Sequence, residues 1–272
     1  MRAMSSLAGR TALVTGVSRR AGIGFAIARR LGELGADLFL QAHAPHDAAQ
    51  PWGADELGTE GVVAELRRAL PGRRVAHAEL DLAAHNAPER CVADARAILG
   101  HVDVLVANHA HSSEGRLGTL TAAELDRSLA VNVRATLLLV QAWAAQHDDA
   151  RPGGRVVLMT SGQHRGPMPG ELPYVAGKGA VHQLTLSLAA ELAPRRITVN
   201  AVDPGPTDTG YATPEIYEAA LATLPMGRWG EPDDAARLIG FLASDDGSWI
   251  TGQVITSAGG EGLVSEDPRA RA

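Results

Sequence analysis

Between Ser161 and Lys178 the chain reads SGQHRGPMPGELPYVAGK. A serine follows an apolar run, a loop rich in Gly and Pro comes next, and Tyr174 and Lys178 stand four residues apart. If Tyr174 opens a helix, that spacing puts both side chains on one face. A phenol ordinarily ionises near pH 10, about three units too high to trade protons readily at neutrality. An ammonium close to the ring favours the phenolate and lowers that value. A phenol so tuned is a usable general acid or base. Ser161, ending its strand, is placed to hydrogen-bond the same reacting oxygen. Alone, a YxxxK pair reads more readily as a tyrosine and a lysine on a solvated helix, and the elements around it must decide.

Those elements alternate. Thr11 to Thr15 (TALVT) is a short apolar run, followed by Gly16, the five residues Val17 to Ala21, then Gly22-Ile23-Gly24 and a helical pattern closed by Gly35. Gly16, Gly22 and Gly24 let the backbone turn sharply and approach a ligand, and the helix N-terminus behind them favours an anionic pyrophosphate. Their place directly after a strand and before a helix raises them above the glycines of an ordinary loop. Asp37 to Gln41 reads as a second buried strand, at whose end a reader of the adenine ribose is expected. No carboxylate stands there; Gln41, Ala42 and His43 do. Arg19 and Arg20 in the glycine loop could face a 2′-phosphate instead, so the balance favours NADP, with NAD as the alternative.

Ala44 to Thr59 is a Pro- and Gly-punctuated stretch, long for a connection between strand and helix. It reads as a loop shaping a surface or an interface. A helix to about Leu70 and a strand from Arg74 to Leu80, followed by Asp81, come next. Ala87 to Leu99 is helical, and Val102 to Ala107 is a fourth strand leading into Asn108, His109, Ala110 and His111. Thr121 and Glu124 form a capping box opening a long helix that contains Asn132. Asparagine is a poor helix-interior residue, tolerated on a solvated face or when it holds a water or a backbone carbonyl. Arg155 to Thr160 is a fifth strand and delivers Ser161. The Tyr174 helix runs to about Leu192, and Ile197 to Val202 is a sixth strand before Asp203-Pro204-Gly205. A short helix near Glu215 to Leu224, a helix from Glu231 to Ala243 and a last strand from Gln253 to Ser257 complete the pattern. Strands alternating with helices mean a Rossmann-like α/β fold, a doubly wound parallel sheet with helices on both faces, in one domain over residues 1–272. The stretch 261–272 reads as a polar tail.

Composition narrows the function classes. With 272 residues, 45% of them hydrophobic, and a formal net charge of −6, nothing suggests nucleic acid or an anionic membrane surface as partner. Cys91, the one cysteine, excludes an intrachain disulfide and reads as structural. No signal-peptide pattern opens the chain, and no apolar run approaches the roughly 20 residues of a membrane span, so the expectation is a cytoplasmic protein. The ten histidines show no HxxxH spacing, and no metal site is indicated.

Taken together, Thr15-Gly16, Gly22-Ile23-Gly24, Asp81, Asn108, Asn132, Ser161, Tyr174, Lys178 and Pro204-Gly205 with Thr209 resemble, in order, the short-chain dehydrogenase/reductase family over essentially the whole chain. The segments around Asn132, Ser161 and Pro204-Gly205 look most like 3-oxoacyl-carrier-protein reductases. The resemblance implies roles. Tyr174 would donate a proton to a carbonyl as hydride arrives from a nicotinamide. Lys178 would lower the tyrosine's pKa and bind the nicotinamide ribose, Ser161 would hold the substrate oxygen, and Asn132 would position a water in a proton relay. Gly16, Ser18, Arg19 and Ile23 would line pyrophosphate and adenosine, and Asp81 with Leu82 would meet the adenine. The backbone around Asn108 would support the cofactor ribose, and Pro204, Gly205, Thr207 and Thr209 would meet the nicotinamide. The substrate would be a small carbonyl compound or an acyl thioester, and the protein a dimer or tetramer. An alcohol dehydrogenase for a sugar, polyol or steroid, or a nucleotide-binding regulator without turnover, are the alternatives.

Three departures stand out. Five residues separate the first two glycines where the family usually has three. That length looks like the enoyl-reductase branch, whose tyrosine and lysine are however spaced further apart. His109 replaces a small residue beside the cofactor, facing the substrate or swinging outward. Asp203 stands where asparagine is common, with little change expected. Substrate recognition is expected on 163–172, 109–113 and a lid-like segment 209–228, in which Tyr211, Tyr217, Met226 and Trp229 line a pocket or pack the lid down. His164 is a candidate for substrate contact.

Overall fold

A computed structural model describes residues 6–151, 153–222 and 224–263. Its strands are Thr11–Thr15 (β1), Asp37–Ala42 (β2), Val75–Glu79 (β3), Val104–Ala107 (β4), Arg155–Met159 (β5), Thr198–Asp203 (β6) and Val254–Thr256 (β7). They form one parallel sheet in the order β3-β2-β1-β4-β5-β6-β7. The helices are Ile23–Glu33 (α1), Ala44–Ala48 (α2), Gly58–Ala69 (α3), Ala87–Leu99 (α4), Ala122–Leu129 (α5), Thr136–Gln146 (α6), Leu172–Leu192 (α7), Pro214–Leu221 (α8) and Pro232–Ala243 (α9).

The apolar runs of the strands have a plain cause. Leu13 and Val14, adjacent in β1, point to opposite faces and are both fully buried, each in its own core. Val14, Leu31, Leu38, Val62 and Ile239 fill one layer. Leu13, Phe39, Leu105, Leu139, Trp143 and Leu158 fill the other. A parallel sheet covered on both faces needs apolar residues at every position, not at alternate ones. Cys91 sits in the second core, where burial pushes its thiol up to about 12. The strand order reverses between β1 and β4, so the connections leaving their C-terminal ends diverge and leave a cleft.

Three expectations about local structure need correction. The stretch 44–59 is not a plain loop: Pro45 in the first turn starts α2, and Gly58 (φ +61°) already begins α3. The helix opened by Thr121, whose hydroxyl accepts the Glu124 N–H at 3.2 Å, runs unbroken from Ala122 to Gln146. By length and composition it could cross a bilayer, contrary to the sequence expectation, but Val131, Ala135, Leu139, Val140 and Trp143 are buried inside the domain. It changes to a π-helical turn over Ala130–Ala135, around Asn132. Finally, Glu261 is no part of a loose tail, since its carboxylate pairs with Arg165 at 2.7 Å. Residues 264–272 of the expected tail lie outside the described residues.

Candidate active site

β5 ends at Met159, and the chain leaves the sheet through Thr160 and Ser161. The early turns of α7 are tied to this exit by two bonds of opposite sense. Lys178 Nζ donates to Met159 O at 2.8 Å, and Thr160 Oγ1 donates to Lys178 O at 3.1 Å. Lys178 is 3% exposed, and its Nζ stands 5.7 Å from the centroid of the Tyr174 ring. The four-residue spacing thus does on α7 what it promised.

The electrostatics run differently from the expectation. Burial pushes the Tyr174 phenol up to about 12; a hydrogen bond with the Ser161 hydroxyl pulls it down, and the nearby Glu171 carboxylate pushes it up further. Burial also lowers Lys178, to about 8. The ammonium donates to Met159 O and stands over the ring, and burial outweighs its pull on the phenol. At neutral pH the pair is a protonated phenol beside a charged amine, a proton donor with a second donor behind it.

Asn132 explains the π turn. Its Oδ1 accepts the His111 N–H at 2.8 Å, and its Nδ2 donates to His111 O at 3.1 Å and Ser128 Oγ at 3.2 Å. One carboxamide therefore anchors the loop after β4, and a π turn in an α-helix often marks such a functional position. α7 lies directly against it: a Cβ on Gly177 would come within 2.8 Å of Asn132 Cβ. Among the described residues Asn132 makes no hydrogen bond to Tyr174 or Lys178; its carboxamide holds the loop after β4.

His109 borders the cleft, but its ring turns into the domain rather than outward. It is buried, with Nδ1 2.8 Å from Thr15 Oγ1 and Nε2 3.1 Å from Val131 O. A carbonyl only accepts, so Nε2 carries the proton and Nδ1 takes the Thr15 hydroxyl. Burial and the nearby Lys178 hold its pKa down to about 3. An unfolded chain binds a proton at this ring below about 6.5 and the folded chain only near 3. Stability must therefore fall as pH drops through that window, by a few kcal/mol on the linkage relation. Urea unfolding between pH 7 and 4.5 should show the loss, and His109→Asn should flatten it. Parallel pH profiles for the two proteins would refute this.

A cleft of about 250 Å³ lies over the C-terminal ends of β1, β2 and β4. Gly16, Ser18, Arg19, Gly22, Ile23, His43, Asp81, Leu82, Asn108 and Thr209 all line it. Its floor requires glycine. Gly16 has φ +74°, and a Cβ there would lie 2.9 Å from His109 Cα; a Cβ on Gly24 would lie 2.2 Å from Gly16 O. α1 begins behind it without a side-chain cap and without an acidic residue in its first turn, which leaves its N-terminus open to an anion. Asp81 accepts the Ala83 N–H at 2.9 Å and Arg127 at 3.1 Å, and these bonds outweigh burial to keep its carboxyl below the usual range. The cleft thus suits a dinucleotide's phosphates and adenosine.

Six residues expected at the cofactor do not line this cleft: Arg20, Tyr174, Lys178, Pro204, Gly205 and Thr207. Arg20 points away from the cleft, its Nε bonded to Asp55 at 3.0 Å and its side chain 40% exposed. Thr207 Oγ1 donates back to Pro204 O and Gly205 O, at 3.3 and 3.2 Å, and so shapes the turn after β6. Gly205 (φ +63°) packs on Ala258, which a Cβ would strike at 2.3 Å.

A second cavity, of about 430 Å³, opens beside Ser161 and is bordered by Arg165, Met168, Gly205, Tyr211 and Glu261. Here the sequence expectation missed a group. Asp203 is fully buried, accepts Arg165 Nε at 2.8 Å and the Gly205 N–H at 3.0 Å, and Arg165 reaches on to Glu261. Replacing the usual asparagine by Asp203 is therefore no small change; it needs a cation, and the loop after Ser161 provides it. A buried acid at the end of a strand was the signal available. Gln41 was also missed: it accepts the Gly16 N–H at 3.0 Å and donates to Leu80 O at 2.7 Å, binding the ends of β1, β2 and β3 together. Of the lid residues, Trp229 is buried and stacks on Tyr217 at 5.0 Å, Tyr211 borders the cavity, and Met226 is largely exposed. His164 is exposed and packs on His182 at 4.7 Å, away from both cavities.

Similar proteins accord with this arrangement. The family model described as Enoyl-(Acyl carrier protein) reductase matches residues 16–261. An uncharacterized oxidoreductase of Bacillus subtilis, YjdA, is 42% identical over 258 residues, 94% of this chain and 98% of that protein. The human dehydrogenase/reductase SDR family member 4 is 35% identical over 263 residues, 93% of this chain and 88% of its own length. Among solved structures, a blue fluorescent protein from a metagenomic library, in complex with NADPH, has 34% identity and a TM-score of 0.82 over 94% of this chain and 98% of that one. With the parallel sheet, the glycine-floored cleft and the Ser161, Tyr174 and Lys178 cluster, these matches place the chain in the short-chain dehydrogenase/reductase family, as an NAD(P)-dependent oxidoreductase.

Proposed function

We propose that the protein is an NADPH-dependent carbonyl reductase for ketones of the 3-oxoacyl type, with Tyr174 as the proton donor. The observation that carries this reading is the phenol of Tyr174, hydrogen-bonded to Ser161 and held in its protonated form well above neutrality. That is the form a reduction needs. A nicotinamide cofactor, when bound, would supply the hydride to the carbonyl carbon. The Ser161 hydroxyl then holds the carbonyl oxygen, and Tyr174 transfers its proton to that oxygen as negative charge develops on it. Lys178, 5.7 Å from the ring, steadies the phenolate left behind. The second cavity, bordered by Ser161, Met168 and Tyr211, is the space for the rest of the substrate.

The preference for NADPH rests on two features. No carboxylate stands at the end of β2 to accept a ribose 2′-hydroxyl, and Arg19 lines the adenosine end of the cleft. Calorimetric titration should give a Kd for NADPH at least about tenfold below that for NADH, the scale of one charge-assisted contact. A panel of ketones and 3-oxoacyl thioesters, followed by NADPH absorbance, should then show turnover. Tighter NADH binding would reverse the cofactor preference, and a silent panel would remove the 3-oxoacyl assignment.

A further inference from the structure

The two departures in chain length meet in space. The lengthened glycine loop, Val17 to Ala21, lies under the stretch 44–59, and three residues of that stretch grip it. Asp47 is 8% exposed; its carboxylate accepts Ser18 Oγ and Trp52 Nε1, the latter at 3.1 Å, and forms an ion pair with Arg19 Nε at 3.2 Å. The Arg19 guanidinium lies over the Trp52 ring, 5.5 Å from its centroid. Asp55 takes the Arg20 N–H at 2.9 Å and its Nε, turning that arginine out of the cleft. Arg19 is left lining the cleft with its side chain 15% exposed. Its guanidinium makes no further polar contact among the described residues.

This geometry is selective. An arginine has a flat fork of five N–H donors, and tying Nε while stacking one face leaves the two Nη groups as the free edge. That edge suits a phosphate. Asp47, by contrast, already accepts from Ser18 and Trp52 and pairs with Arg19, so it is engaged by the loop rather than left free to face the cofactor. A mobile arginine on a loop would lose side-chain entropy on binding; a clamped one has lost it in advance. We propose that Asp47 and Trp52 are positioning residues that hold Arg19 with its Nη edge toward the cofactor 2′-phosphate, so that the long 44–59 stretch sets the preference for NADPH over NADH. This rests on the NADPH reading above.

The test is calorimetric binding of NADPH and of NADH to the full chain and to Asp47→Asn, Trp52→Phe, Arg19→Gln and the double variant Asp47→Asn/Arg19→Gln. Trp52→Phe keeps an aromatic ring under Arg19, though a smaller one, and loses the indole N–H, so it serves if Asp47→Asn folds poorly. Asp47→Asn should weaken NADPH about tenfold and change NADH by less than about twofold. Trp52→Phe should do the same to a smaller degree. The double variant should be no worse than Arg19→Gln alone, because Asp47 acts through Arg19. Equal losses for both cofactors, additive losses in the double variant, or tighter NADPH binding by Asp47→Asn would each overturn the clamp while leaving the NADPH preference of the unmodified protein standing. A preference of the unmodified protein for NADH would defeat the underlying reading, and that outcome is read without any variant.

Discussion

Tyr174→Phe should lower kcat for carbonyl reduction by about a thousandfold, within the range by which a positioned general acid contributes, and leave the Kd for NADPH within about twofold. The substitution removes one oxygen and keeps the ring that Lys178 stands over. Packing of α7 against β5 is untouched, since the tie runs through Lys178 Nζ and Thr160 Oγ1. What disappears is the proton, and neither neighbour replaces it: Ser161 is far too weak an acid, and Lys178 is directed at Met159 O. Lys178→Ala makes the useful contrast. It removes the buried charge beside the phenol and, on the role the family resemblance implies, the partner of the nicotinamide ribose, so turnover and cofactor affinity should fall together. Single-turnover absorbance of NADPH separates the two cases. Turnover retained by Tyr174→Phe would falsify the assignment of the acid.

The second large effect is on stability. Arg165→Met should destabilise the fold by about 3–5 kcal/mol, the scale for stripping one partner from a buried ion pair. Asp203 is fully buried and has Arg165 as its cation at 2.8 Å. The Gly205 N–H cannot balance a whole charge. Glu261, freed at the same time, adds a second carboxylate near the first. Arg165→Met/Asp203→Asn should recover most of the loss, because the neutral amide keeps the shape and needs no cation. Urea midpoints for the two variants decide it: a single variant within about 1 kcal/mol of the parent, the level of an exposed pair, would show that the pair is solvated.

Much of the fold and the site can be read without coordinates, and the reason is locality. Strand, glycine turn and helix at 11–33 follow from neighbours within a few residues, as do the Thr121 cap and the Tyr174–Lys178 face of α7. Strands buried on both sides announce themselves as unbroken apolar runs, and their alternation with helices implies the doubly wound parallel sheet. Charge pairing is another matter. Asp203 and Arg165 are 38 residues apart, and Asp47 and Ser18 are 29 apart. Which cation meets which carboxylate depends on how loops from different strands fold back over one sheet edge, and no spacing rule encodes it. For the same reason Arg19 and Arg20, indistinguishable in sequence, part company: Asp47 and Trp52 hold one in the cleft, and Asp55 draws the other out. His109 turns inward because Thr15 and Val131 O, one on β1 and one on the π turn, converge on its two nitrogens. The phenol's pKa belongs to the tertiary structure too. Four-residue spacing puts Lys178 over the ring, but burial, against the pull of the Ser161 hydrogen bond, decides that Tyr174 is held as an acid.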